Sequence, residues 1–286
     1  MLKMHALPPL FVLACIFFLW LTTPLQAQDW LKAAPQSHIV EQQINNYLPS
    51  TPTRSLLSSQ QNIAIIMDDL GYRLSDAKAL LALAFPVTFA VIPHTPFATE
   101  VASQAHQAGR TVILHQPMET SNPKYHDINQ VGLLYQGMTR EHFVQVLEAN
   151  IASVPYVSGL NNHMGSLLTS LDEPMQWVME VSKKHQLYFV DSRTTHKTVA
   201  IAHAQREGVV WAERKVFLDA SRDIMSIKKA WQKALRYAKK GQQCIVIAHP
   251  YPETLAFLKS QVSHRDIASL RNFLHVESQY ADAKSY

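Results

Sequence analysis

The segment IAIIMDDLGY, residues 63–72, places two adjacent aspartates directly after an unbroken apolar run. Five apolar residues without polar alternation are typical of a strand that is covered on both faces, as in a parallel sheet. Ligands and catalytic groups gather at the carboxyl ends of parallel strands. Asp68 and Asp69 are therefore candidates for a functional site, although a helix cap and a solvated side chain would also explain the pair.

From residue 62 onward the chain repeats this alternation of apolar strands and helical segments. Seven strands separated by helices predict an α/β domain with a parallel sheet, either a (β/α) barrel or a doubly wound sheet. The predicted strands are residues 63–67, 87–92, 111–115, 156–160, 187–191, 208–211 and 244–248. The predicted helices include residues 75–84, 99–109, 140–153, 174–185 and 225–240.

The first 61 residues have a different composition from the rest of the chain. A basic start at Lys3, an apolar run over residues 6–21 and a small-residue site ending at Ala27 are typical of a secretory signal peptide. The run is shorter than the roughly 20 residues that a membrane-spanning helix needs. We therefore expect a cleaved signal peptide at residues 1–27, a flexible linker rich in Gln, Ser, Thr and Pro at residues 28–61, and a folded periplasmic domain at residues 62–286, without stable membrane insertion.

Charge and cysteine content exclude two classes of protein. The net charge of +4 is spread along the chain without a block of Lys or Arg, so a nucleic-acid interface is not indicated. Of the two cysteines, Cys15 lies in the predicted signal peptide and Cys244 in the apolar segment CIVIA. The sequence therefore predicts no disulfide framework, and it predicts that Cys244 is a small buried hydrophobic side chain.

Polar side chains follow five of the predicted strands. Because parallel strands end at the same edge of a sheet, these side chains are expected to converge. Carboxylate oxygen and imidazole nitrogen suit Zn²⁺ and related divalent ions. For each histidine taken singly, a helix cap or a hydrogen-bonded core group explains the position about as well. The strand-end candidates are Asp68, Asp69, His115, Glu119, Asn161, Asn162, His163, Asp191, Ser192, Arg193 and His249.

The order of these motifs resembles the divergent polysaccharide deacetylases, an offshoot of the chitin, chitooligosaccharide and peptidoglycan deacetylases. The motifs are DD at 68–69, HQPMET at 115–120, NNHMGS at 161–166, DSRT at 191–194 and AHP at 248–250. The resemblance covers residue 62 to the end of the chain, and it implies a distorted (β/α)7-type barrel with a metal-dependent N- or O-deacetylation site. It also implies that Asp68 is the base, Asp69 a metal ligand, His115 the first histidine of the metal motif and His249 the acid.

One position departs from the family pattern. Ordinary deacetylases place a second histidine four residues after the first, where this chain has Glu119. Either Glu119 takes that ligand position, or His163 supplies the third ligand from the next strand. We favour His163, because the polar cluster NNHMGS has no other evident role.

Two further candidates are assigned supporting roles in catalysis. Asp191 is expected to orient His249, and Arg193 to hold Asp68 or a sugar hydroxyl. A structural ion pair between Asp191 and Arg193 explains both residues nearly as well.

The favoured hypothesis is a periplasmic metal-dependent hydrolase, with zinc as the expected metal, that removes acetyl groups from an envelope glycan such as peptidoglycan. The alternative is a catalytically degenerate glycan-binding or adaptor protein on the same scaffold. A weaker alternative is a metal amidase or esterase acting on a non-carbohydrate acyl group. Tyr72, Tyr156 and Tyr251 are candidates for stacking on sugar rings.

Overall fold

The computed structural model describes residues 62–125 and 130–274. Seven parallel strands form a closed barrel in chain order, with the first strand paired to the last. The distorted (β/α)7-type barrel that the family resemblance implies is thereby confirmed. The strands are β1 (Ile63–Leu70), β2 (Thr88–Val91), β3 (Val112–Met118), β4 (Val157–Met164), β5 (Tyr188–Asp191), β6 (Trp211–Phe217) and β7 (Cys244–Ala248). The helices are α1 (Leu74–Leu81), α2 (Ala98–Gln107), α3 (Arg140–Ser153), α4 (Asp172–Lys184), α5 (Ala200–Glu207), α6 (Ile224–Lys239) and α7 (Pro252–Gln261).

The predicted signal peptide and linker, residues 1–61, lie outside the described residues, as do residues 126–129 and 275–286. Among the helices that the structure describes, none has the length and apolar character needed to cross a bilayer.

The strands alternate between an outer layer that packs against the helices and an inner layer that fills the barrel. On β1, Ile65 and Met67 belong to the outer cluster, which contains helix residues such as Leu80. Ala64 and Ile66 belong to the inner cluster, to which none of the seven described α-helices contributes a residue. Strand residues that continue the inner series beyond these apolar layers therefore face the interior at the carboxyl end.

The segment after α7 fills the amino-terminal end of the barrel. The backbone N–H of Ala268 donates to the carbonyl of Ile63 at 2.8 Å, and Ala268, Leu270 and Phe273 join the inner cluster. Cys244 is fully buried in the outer cluster, and burial raises the pKa of its thiol to about 12. It is a small buried side chain, as expected.

The sixth strand is the main departure from the sequence prediction. Residues 208–211 were predicted, whereas β6 begins at Trp211 and continues to Phe217. Gly208 has a φ of 69° and ends α5 in the left-handed conformation, so it closes a helix and does not open a strand. The charged residues at 213–215 interrupt the apolar pattern, and they hid this strand from hydrophobicity analysis.

Gly159 on β4 gives a direct test of packing inside the barrel. A Cβ added at this position would lie 2.3 Å from Cε2 of Tyr188. We expect Gly159→Ala to lower the free energy of unfolding by about 1–3 kcal/mol, the usual cost of overpacking a core. Denaturant unfolding of the single variants and of the double variant with Tyr188→Leu should give a favourable coupling energy, because removing the ring makes room for the methyl group. A Gly159→Ala protein as stable as the wild type would contradict this packing.

Candidate metal centre

Both adjacent aspartates reach the interior because β1 is irregular at its end. Asp68 continues the inner series of Ala64 and Ile66 and is 3% exposed. Regular alternation would turn Asp69 outward, but its φ is 58°, and the pairing of β1 with β2 shifts register between Met67 and Leu70. Aspartate is one of the few residues that adopt this left-handed conformation readily. The local turn therefore brings two carboxylates to one place.

Three potential ligand atoms form a nearly equilateral triangle at the carboxyl ends of β1, β3 and β4. Asp69 Oδ1 lies 3.2 Å from His115 Nε2 and 3.0 Å from His163 Nδ1. The two ring nitrogens are 3.1 Å apart. Among the described residues, this is the group whose carboxylate and imidazole atoms converge as metal ligands do.

The triangle fits a divalent metal ion. Bonds of 2.0–2.1 Å in a tetrahedral zinc site separate the ligand atoms by about 3.3 Å, close to the spacing of this triangle. Asp69 Oδ1 is buried and has no hydrogen-bond partner with acceptable geometry, although both ring nitrogens are near. Two imidazoles and one carboxylate leave a coordination position open, as catalytic zinc sites do. The donor set thus suits a catalytic metal.

The two aspartates differ in their tendency to ionise. Burial raises the pKa of Asp68, and the nearby histidines oppose this only in part. Burial would also raise the pKa of Asp69, but the close contacts of His115 and His163 hold it well below its ordinary value. For His115, burial lowers the pKa and the charges of Asp68 and Asp69 raise it above its ordinary value. Asp69 is therefore the ionised carboxylate of the triangle, and Asp68 has the higher proton affinity.

Asp68 is held by an amide and not by the predicted arginine. Asn161 Nδ2 donates to Asp68 Oδ1 at 2.9 Å, and Asp68 Oδ2 lies 3.6 Å from His115 Nε2. The Arg193 guanidinium is instead 3.7 Å from Glu213 Oε2, at the exposed rim. The expectation that Arg193 holds Asp68 is wrong, because Arg193 lies on a left-handed turn with a φ of 52° that directs it to the next strand.

His249 follows β7 and lies beside the triangle, with Nε2 3.8 Å from Asp69 Oδ2. Its Nδ1 donates to Asp219 Oδ1 at 2.9 Å, and its backbone N–H donates to Asp219 Oδ2 at 2.7 Å. The Thr254 hydroxyl donates to the same Oδ2 at 2.8 Å. Burial alone would lower the pKa of His249, but Asp219 and the charge of Asp69 raise it to about 9.

The expectation that Asp191 orients His249 is wrong for a simple geometric reason. Phe189, two residues earlier on β5, belongs to the outer layer, so Asp191 faces outward as well. Its carboxylate accepts the backbone N–H of Arg193 at 2.7 Å and the Thr198 hydroxyl at 2.9 Å. Burial raises the pKa of Asp191. Asp191 therefore stabilises the loop after β5 through these two hydrogen bonds and not through an ion pair with the Arg193 side chain.

The alternative ligand Glu119 is directed elsewhere. Its Oε2 accepts the backbone N–H of Gln136 at 2.6 Å. Because β3 stays extended as far as Met118, four residues carry Glu119 about 13 Å along the strand from His115. His163 occupies the third corner of the triangle in its place.

The sequence pattern predicted no role for three residues that build the site. Asp219 and Arg214 escape prediction because charged residues interrupt the apolar pattern of β6, although the three apolar residues before Asp219 resemble the run before Asp68. Arg214 donates to the carbonyls of Ser192 and Arg193 at 2.6 and 2.7 Å and so holds the rim between β5 and β6. Asn161 was noted at a strand end but was assigned no role.

Comparison with known proteins shows the family of this chain. The family model described as divergent polysaccharide deacetylase matches residues 65–269, which include all three corners of the triangle, Asp68 and His249. The chain belongs to this family.

The chain has relatives in two bacteria. It is 36% identical over 200 residues to a protein of Escherichia coli K12 described as uncharacterized, a match that covers 70% of this chain and 62% of that protein. An uncharacterized protein of Haemophilus influenzae is 34% identical over 203 residues, with 71% of each chain covered. The crystal structure of an uncharacterized protein from Agrobacterium tumefaciens C58 superimposes with a TM-score of 0.65 at 19% identity, covering 71% of this chain and 82% of that one. That last similarity supports the fold alone.

Proposed function

We propose that this protein is a zinc-dependent hydrolase of the periplasm that removes acetyl groups from an envelope glycan such as peptidoglycan. The observation that carries the proposal is the triangle of Asp69, His115 and His163, with edges of 3.0–3.2 Å, beside the second buried carboxylate of Asp68. Family membership supports deacetylation, and the signal-peptide pattern before Ala27 supports export.

Asp69, His115 and His163 would hold the ion and Asp68 would act as the base. A bound divalent ion would supply Lewis acidity that polarises the acetyl carbonyl and lowers the pKa of water. Asp68 Oδ1 accepts from Asn161, which leaves Oδ2 to take the proton of the attacking water. Its raised pKa increases its affinity for that proton.

His249 is placed to act as the general acid. With Nδ1 bound to Asp219, its Nε2 lies 3.8 Å from Asp69 Oδ2 and can give a proton to the departing amine or alkoxide. The carboxylate of Asp219 stabilises the imidazolium before that transfer, and Thr254 holds the carboxylate in place. Base and acid thus both lie beside the candidate ligands, with Asp68 Oδ2 3.6 Å from His115 Nε2 and His249 Nε2 3.8 Å from Asp69 Oδ2.

Aromatic side chains at the same end of the barrel support a sugar substrate. Tyr72 follows β1 and is 50% exposed. The Tyr251 ring stacks on the His249 ring, with 5.3 Å between the two centroids, and the Arg222 guanidinium carbon lies 4.8 Å from the Tyr251 ring centroid. Tyr156, in contrast, precedes β4 and stacks on His106, so it lies at the opposite end of the barrel and is removed from the candidate sugar contacts.

The test is zinc content measured beside acetate release from acetylated envelope glycans, on purified protein and on the Asp69→Asn variant. We expect one equivalent of metal and release of acetate from the wild type, and neither from the variant. Metal and glycan binding without acetate release would favour the degenerate adaptor. Acetate from simple esters but from no glycan would favour the non-carbohydrate esterase. Fractionation with mass spectrometry of the amino terminus tests the location, and a retained signal segment in the membrane fraction would contradict it.

A further inference from the structure

We propose that Asn161 is a positioning residue that sets the tautomer of the ligand His115 and the orientation of the base Asp68 at the same time. The inference rests on the proposed function and extends it to a residue that binds neither metal nor substrate.

Asn161 lies between the two groups because of strand register. It is the cross-strand partner of His115 in the pairing of β3 with β4, and it belongs to the same inward-facing series as His163. His115 Nδ1 is 2.8 Å from Asn161 Oδ1, and Asn161 Nδ2 is 2.9 Å from Asp68 Oδ1 and 3.3 Å from Ser192 Oγ. Asn161 is fully buried, so water does not replace these contacts.

The direction of each hydrogen bond follows from the chemistry of the partners. An ionised Asp68 can only accept, so the amide turns its NH₂ group toward Asp68 and its oxygen toward His115. The opposite amide orientation would place two acceptors against each other at 2.9 Å. An amide oxygen can only accept, so His115 donates from Nδ1.

A proton on Nδ1 leaves the lone pair of neutral His115 on Nε2. That nitrogen is the one at the corner of the triangle, 3.2 Å from Asp69 Oδ1 and 3.1 Å from His163 Nδ1. Hydrogen bonds from the second nitrogen of a ligand histidine commonly fix its tautomer and orientation in this way. The Asn161 side chain therefore has two effects. It leaves the lone pair of His115 Nε2 free for the ion, and by binding Asp68 Oδ1 it leaves Oδ2 to accept the proton of the attacking water.

Two variants separate these tasks. Asn161→Leu removes both contacts, and we expect zinc affinity to fall by about 10- to 100-fold. Asn161→Asp keeps an acceptor for His115 but faces Asp68 with an oxygen, so zinc affinity should stay within about three-fold while acetate release falls by about 10-fold or more. Zinc affinity is measured by competition with a chromophoric chelator, on folded full-length protein.

Asn150 provides a matched control on the outer side of the barrel. It is also fully buried, it lies 2.9 Å from a histidine, His94, and it donates to the Gln116 side chain at 2.9 Å. Asn150→Leu should lower thermal stability and leave zinc affinity unchanged. This control shows whether a fall in zinc affinity in Asn161→Leu comes from its contacts with His115 and Asp68 or merely from the loss of a buried amide.

The outcomes distinguish this inference from the proposed function. Wild-type zinc affinity in Asn161→Leu would overturn the role of Asn161 and leave the hydrolase proposal intact. Zinc binding without acetate release would overturn the hydrolase proposal, while the affinities of the variants would still decide the role of Asn161. If Asn161→Leu fails to fold, ¹⁵N spectra of metal-free wild type at a pH where His115 is neutral decide the tautomer: a proton on Nδ1 supports the inference, and a proton on Nε2 overturns it.

Discussion

Asp69→Asn is expected to abolish zinc binding and hydrolysis together, whereas Asp68→Asn is expected to keep the metal and lose at least about 10²-fold in turnover. The two residues are adjacent, but Asp69 Oδ1 stands at a corner of the ligand triangle and Asp68 does not. An amide at 69 removes the negative charge that both imidazoles face. An amide at 68 keeps the shape and removes the proton acceptor.

The measurement pairs zinc stoichiometry with the rate of acetate release for both variants and the wild type. Thermal unfolding serves as the control for folding, since Asp68 is buried and accepts a hydrogen bond from Asn161. Equal loss of zinc in both variants would mean that the two carboxylates share the ion, and the proposed division between ligand and base would be wrong.

Asp219→Asn is expected to slow acetate release by about 10²-fold or more without changing zinc content. Asp219 Oδ2 accepts from both the His249 backbone and Thr254, so the single oxygen of an asparagine would take that position. Its NH₂ group would then face His249 Nδ1, where the wild type has an acceptor at 2.9 Å. The ring could no longer be stabilised as an imidazolium, and related losses at histidine–aspartate pairs are large.

Asp191→Asn is the comparison for this prediction, because Asp191 is another buried aspartate that follows a strand. Its partners are the Arg193 backbone and Thr198, so we expect a loss of stability and less than about a ten-fold change in turnover. If turnover fell equally in both variants, Asp191 would regain the role that the sequence suggested for it.

Much of the site could be predicted from local sequence because each residue continues a strand. An apolar run that ends in a polar group predicts a buried strand with that group toward its carboxyl end, and Asp68, His115 and His249 obey this pattern, whereas His163 follows two asparagines. The same rule failed at β6, because the half-buried Arg214 lies between charged neighbours and donates there to two backbone carbonyls. Local hydrophobicity does not reveal that a charged side chain will find hydrogen-bond acceptors on a neighbouring strand or loop.

By itself, the sequence determined the alternation of strands and helices and the end of the sheet at which the polar side chains would meet, while the family resemblance indicated the candidate ligands. Periodicity and residue type are local properties, and they were sufficient for the first two conclusions. Only the tertiary structure decided which groups touch. Closure of β7 onto β1 brings His249 beside Asp69, 180 residues apart in the chain, and the register of β3 with β4 sets Asn161 against His115. The left-handed turn at Asp69 and the outward direction of Asp191 likewise depend on pairing and parity within the barrel, because a one-residue shift moves a side chain to the opposite face.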